Sequence, residues 1–181
     1  MARGCDTVLV VTTVGHSLTG IAIAALTLPQ AQSRRWYFFI GAGFVFFANL
    51  PDYPLPGWGH NSYLVSHSVF VTALLAALLG LLLLWPTFQA GVGKRVLVAW
   101  SAAWFSHMLL DSMYNHGQGI VVFWPLSDAH LAMPVSWFET IRLPAKSEHN
   151  LRVFAIEAIV FGAVLVSCLG IRQKMTRKQI F

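Results

Sequence analysis

Charge is scarce in this chain. Asp, Glu, Lys and Arg make up 10% of its 181 residues, while 56% are hydrophobic and mean hydropathy is +0.63; soluble domains carry roughly a quarter charged residues. That excludes an ordinary soluble domain and predicts a multispanning membrane protein, long enough for a small helical bundle and no sizeable separate domain. Cysteine is nearly absent. Cys5 and Cys168 lie near opposite ends, which excludes a disulfide framework and fits no metal-ligand spacing. No Ser-based nucleophile elbow, Gly-rich phosphate loop or C-x-x-C pair occurs, nor any internal repeat or low-complexity tract. Twelve basic against seven acidic residues leave a net charge of +5. The basic residues cluster beside apolar runs, which marks topology and not a nucleic-acid surface.

What the chain has in abundance is apolar runs. They predict five spans near residues 8–28, 36–50, 66–85, 96–110 and 151–171, in a single all-α integral-membrane domain. The alternative for the first run is a cleaved signal peptide after Arg3. However, the run is long enough to span, ends in no clear small-x-small site, and carries His16, which a disposable segment would not need. The stretch 51–66 is turn-rich, with prolines at 51, 54 and 56, and sets Asp52 at the membrane edge. Residues 111–150 mix glycine and proline with Phe123, Trp124, Trp137 and Phe138, as expected of an interfacial segment with an aromatic belt.

Five spans place Arg34 and Arg35, Lys94 and Arg95, and the basic C-terminal tail on one side, which the positive-inside rule makes cytoplasmic. Every histidine then falls on or within reach of the other side: His16 and His67 in outer halves of spans, His107 at the end of one, and His60, His116, His130 and His149 in loops. Asp52 and Asp111 join them. Loops hold polar residues anyway, but that does not explain His16 or His67 within apolar runs. The distribution predicts a shared polar site at the outer boundary of a bacterial inner membrane, facing the periplasm.

His107 and Asp111 stand four residues apart, so on a helix they share a face and converge on one point. An unpaired carboxylate in such apolar surroundings costs several kcal/mol. The pair is therefore either half of a metal site or a hydrogen bond stapling two helices. Imidazoles and carboxylates without cysteine suit Zn²⁺ or Mn²⁺, or else Fe. A catalytic ion lowers the pKa of its water to about 7 and polarises a phosphoryl or carbonyl oxygen. At a lipid–water boundary the accessible esters are those of lipid head groups.

His16 in the first run, LPD at Leu50–Asp52, SHS at 66–68, SHMLLD at 106–111 and HGQGIVVFWPLS at 116–127 together resemble the LexA-regulated, membrane-bound, predicted metal-dependent hydrolase family. The S-H-x-L-L-D element followed by W-P-x-S is the most specific part. The order His, Asp, His, then H-x-x-x-D is also similar to bacterial zinc-dependent phospholipase C, an all-helical enzyme. The resemblance implies His16, Asp52, His67, His107 and Asp111 as metal ligands, with Asp52 the carboxylate best placed to bridge ions or act as general base. Departures exist. In place of the family's H-R-G-like stretch stand Ser62, Tyr63 and Leu64, with His60 just upstream, and the phospholipase's later H-x-x-x-E is missing, since Pro134 and Val153 follow His130 and His149. Glu157, His60 and His116 are the further candidate ligands. Glu157 is equally readable as a protonated or Arg152-paired structural residue, and His116 as a helix C-terminal cap.

These observations lead to the expectation of a membrane-embedded metal-dependent hydrolase. Its cofactor is zinc, with manganese as alternative, and its partners are membrane lipids and a lipid or small-molecule ester, with no nucleic acid. In this expectation metal-bound hydroxide attacks a phosphoester and Asp52 or Asp111 takes the proton. The alternatives are a metal-ion or proton transporter, with ligands spread through both membrane halves, and a structural protein whose metal only fixes the bundle.

Overall fold

The computed structural model describes residues 13–29, 32–53, 63–84, 86, 91–115, 119–141 and 146–179. Among them are five long helices: α1 (Thr13–Thr27), α2 (Arg34–Asn49), α3 (Val69–Leu81), α4 (Gly91–Asp111) and α5 (Glu148–Gln179). Single turns at Leu50–Asp52, Tyr63–Ser66 and Leu82–Leu84 flank α2 and α3. No strand occurs among the described residues; isolated bridges pair Tyr114 with Phe138 and Ile120 with Leu131.

Each predicted apolar run contains one of these helices, but the runs differ in reach. The stretch Glu148–Thr176 of α5 is long and apolar enough to cross a membrane. Helices α1 and α3 are apolar, with 15 and 13 residues among those described; α1 starts where the described residues start. At 1.5 Å per residue they are shorter than a hydrocarbon core of about 30 Å. Helix α5 also begins at Glu148, inside the stretch expected to be interfacial.

Local signals explain the helix ends. Ser33 caps α2, its Oγ accepting from Trp36 N at 3.2 Å. Ser68 caps α3 by accepting from Phe70 N at 3.1 Å. Pro51, which cannot donate, turns the end of α2 into the tight Leu50–Asp52 turn and so delivers Asp52.

Buried positions recur every three or four residues: His16, Gly20 and Ala24 on α1, with Leu28 just past its end; Phe44 and Ala48 on α2; Val96, Ala99, Ala103, His107 and Leu110 on α4; Val153, Glu157 and Phe161 on α5. This is the helical period, so each row is one face turned inward. The small residues among them, Gly20, Ala24, Ala48, Ala99 and Ala103, bring the backbones close. A Cβ on Gly20 would stand 2.7 Å from Phe44 O, and one on Gly43 2.7 Å from the Trp100 ring. The outward faces of α3 and α5 stay apolar, with Leu74, Leu78, Leu151, Ile159 and Val166 exposed.

Residues 119–141 wrap the end of α4. Met133 N donates to Ser112 O, Trp137 N to Met113 O, Asn115 N to Phe138 O, and Val69 N to Val122 O, at 2.8 to 3.0 Å. Gly119 has φ +87, and a Cβ there would meet Leu131 O at 2.3 Å. Gly119→Ala is expected to cost about 1–3 kcal/mol of strain and to lower the unfolding temperature in detergent. An unchanged unfolding temperature would contradict this account of the wrap.

Candidate metal centre

Five polar residues meet at one end of the bundle. His16 comes from the first turns of α1, Asp52 from the turn after α2, His67 from the turn before α3, and His107 and Asp111 from the last turns of α4. The centre therefore sits where these segments end or begin. His16, His67, His107 and Asp111 are at most 3% exposed, whereas the Asp52 side chain keeps 21% of its surface open.

Asp111 is the hub. Its Oδ2 lies 2.7 Å from His67 Nε2 and 3.1 Å from His107 Nε2, and its Oδ1 3.2 Å from His16 Nε2. Asp52 Oδ1 stands 3.4 Å from His107 Nε2 and 3.5 Å from His67 Nε2, and those two nitrogens are 3.2 Å apart. Asp52, His67, His107 and Asp111 thus each offer one donor atom within 4.8 Å of the other three. Burial opposes the charge on Asp52, yet the imidazoles of His107 and His67 beside it hold its carboxyl below the ordinary carboxylate range.

The tautomer of His107 follows from its neighbour. Its Nδ1 lies 2.7 Å from Ala48 O; a carbonyl only accepts, so Nδ1 carries the proton. A neutral His107 therefore turns the lone pair of Nε2 into the cluster, toward carboxylate oxygens that also bear lone pairs. His67 Nδ1 is likewise engaged, 3.1 Å from Ser66 Oγ. The His16 ring stacks on His107, centroids 4.0 Å apart, yet neither of its buried nitrogens meets hydrogen-bond geometry.

These features fit a divalent cation. Tetrahedral ligands about 2.0–2.2 Å from zinc stand about 3.3–3.6 Å from one another, close to most of the spacings above. Two carboxylates and two imidazoles form an oxygen and nitrogen donor set suited to Zn²⁺ or Mn²⁺. Ala48 O and Ser66 Oγ stand where outer partners would fix these imidazoles for an ion.

All five principal candidates from the sequence converge here. Of the further candidates, Glu157 lies outside the cluster. Glu157 is fully buried, but its Oε2 accepts from Gly15 N at 3.0 Å, and Arg152 pairs with Glu148 at 3.3 Å. His60 and His116 lie outside the described residues. His130 is exposed, and His149 sits 3.1 Å from Thr140 O and 3.3 Å from Glu139 Oε2. Sequence reasoning missed Ala48, whose contribution is a backbone carbonyl that no side-chain pattern announces. It also missed Tyr114, although a polar-tipped aromatic just past Asp111 was a usable signal.

Among known proteins, the family model for the YdjM inner membrane protein matches residues 11–177. No curated protein and no solved structure matches.

Proposed function

We propose, for a chain that belongs to the YdjM inner membrane protein family, that the His and Asp cluster holds a zinc or manganese ion. The protein is then a membrane-embedded hydrolase that cleaves a phosphoester of a lipid or lipid-linked substrate. The observation that carries this reading is the convergence of Asp52, His67, His107 and Asp111 within 4.8 Å, with the Nδ1 proton of His107 committed to Ala48 O. Asp52, His67, His107 and Asp111 would hold the ion, with His16 against Asp111 as a further donor. When bound, such an ion activates water near neutral pH and polarises a phosphoryl oxygen.

The chain's own residues divide the remaining work. Asp111, nearly inaccessible and flanked by three imidazoles, keeps the donors in register. Asp52 is the partly open member, so substrate approaches along its side and its carboxylate takes the proton of the attacking water.

All five helices span the membrane in this reading, α1 and α3 with help from flanking residues and local thinning of the bilayer. Small residues at the helix contacts support it. Arg34, Arg35, Lys94 and Arg95 mark the cytoplasmic end, and the cluster faces the periplasm. Transport is less well supported. Between the cluster and the basic end, the described helices carry no Asp, Glu or His, and Glu157 bonds beside His16 at the cluster's own end.

The test is elemental analysis of protein purified in detergent under metal-replete conditions, followed by assay on phospholipid and lipid-linked phosphoesters with and without chelator. Stoichiometric zinc or manganese, with hydrolysis that chelator abolishes and the metal restores, is the expected result. No stoichiometric metal would overturn the reading and leave His107 and Asp111 as a pair that only staples helices.

A further inference from the structure

The buried carboxylate of Glu157 lies outside the cluster and still touches its architecture. It projects from α5, one turn before Phe161, toward α1, where its Oε2 accepts from Gly15 N at 3.0 Å. Tyr114 is a further polar neighbour of the carboxyl. Space is tight at this point: a Cβ on Gly15 would stand 2.7 Å from the Phe161 ring and 2.8 Å from Tyr114 Oη.

The same residues build a column of rings. His107 stacks on His16 with centroids 4.0 Å apart, His16 on Tyr114 at 6.0 Å, Tyr114 on Phe138 at 5.3 Å, and Phe138 on Phe161 at 5.2 Å. Glu157 and Phe161 thus grip the residue before His16 and the far end of its stack. His16 itself makes no hydrogen bond of proper geometry through its ring. Its place is set by packing, by Asp111 Oδ1 3.2 Å from its Nε2, and by the backbone that carries it.

We infer that Glu157, with Tyr114, is a positioning residue that clamps α1 at Gly15 and thereby holds the His16 imidazole against Asp111 and His107. This rests on the reading of the cluster as an ion site, and it assigns Glu157 no contact with the ion.

The experiment is titration with zinc alone of the full chain in detergent, combined with thermal unfolding, for wild type, Glu157→Ala, Tyr114→Phe and His16→Ala, and for the first two changes repeated in the His16→Ala background. Changes in outer partners of a metal site typically weaken binding by roughly 10–100-fold. Glu157→Ala is expected to fall in that range and Tyr114→Phe at its lower edge. In the His16→Ala background neither is expected to weaken zinc binding further, because they act through the same imidazole. Equal losses with and without His16 would overturn the inference, as would wild-type affinity in both variants. Should Glu157→Ala fail to fold, Tyr114→Phe, which removes one hydroxyl, decides by the same comparison. A wild type that binds no zinc would remove the ion reading itself, whereas zinc bound equally well by wild type and both variants would remove only the clamp.

Discussion

Asp111→Asn protein, purified beside wild type, is expected to fold and to carry no stoichiometric metal. The amide keeps the shape of the side chain, but its nitrogen is a donor without ligating capacity. The atom at stake now lies 2.7 Å from His67 and 3.1 Å from His107, with the second oxygen 3.2 Å from His16. One substitution therefore removes the negative partner of three imidazoles. Hydrolysis is expected to fall by more than the roughly 10–100-fold that an outer partner costs. The measurement is metal content by elemental analysis together with the unfolding temperature with and without added zinc. Wild type should gain about 4 kcal/mol at a thousandfold excess of zinc over its Kd, and the variant should gain nothing. Stoichiometric metal in a folded Asp111→Asn protein would remove Asp111 from the ligand set.

Gly20→Leu is expected to be the most damaging change outside the cluster. The first atom of any side chain at this position would stand 2.7 Å from Phe44 O and 3.1 Å from Ala48 Cβ, so a leucine must prise α1 from α2. Overpacking costs typically about 1–3 kcal/mol where side chains can yield; here the obstacle is backbone, and a loss at or above the top of that range follows. The damage reaches the cluster, because Ala48 O holds His107 Nδ1 at 2.7 Å. Zinc affinity should drop although every ligand is present. Thermal unfolding and zinc titration in detergent check both effects, and wild-type behaviour in the two assays would contradict the close approach of α1 and α2.

The five-helix pattern and most of the cluster were legible in the sequence, for physical reasons that differ residue by residue. His107 and Asp111 were legible because a helix puts residues four apart on one face. Asp52 was legible because Pro51 stops a helix just ahead of it. His16 and His67 stood out as polar residues inside apolar runs, although which atoms they meet depends on how the helices cross. Glu157 was visible as a candidate, but its partner was not: Gly15 N is 142 residues away, and a backbone amide leaves no mark in composition or spacing. The interfacial reading of 111–150 missed that helical geometry resumes at Glu148.

The contact between Gly15 and Glu157 joins the first described helix to the last. During synthesis, Gly15 N therefore lacks this partner until nearly the whole chain has emerged. The segments that carry Asp52, His67, His107 and Asp111 emerge before then. A chain arrested before Glu157 emerges therefore holds all five residues of the cluster without the grip that fixes the first of them.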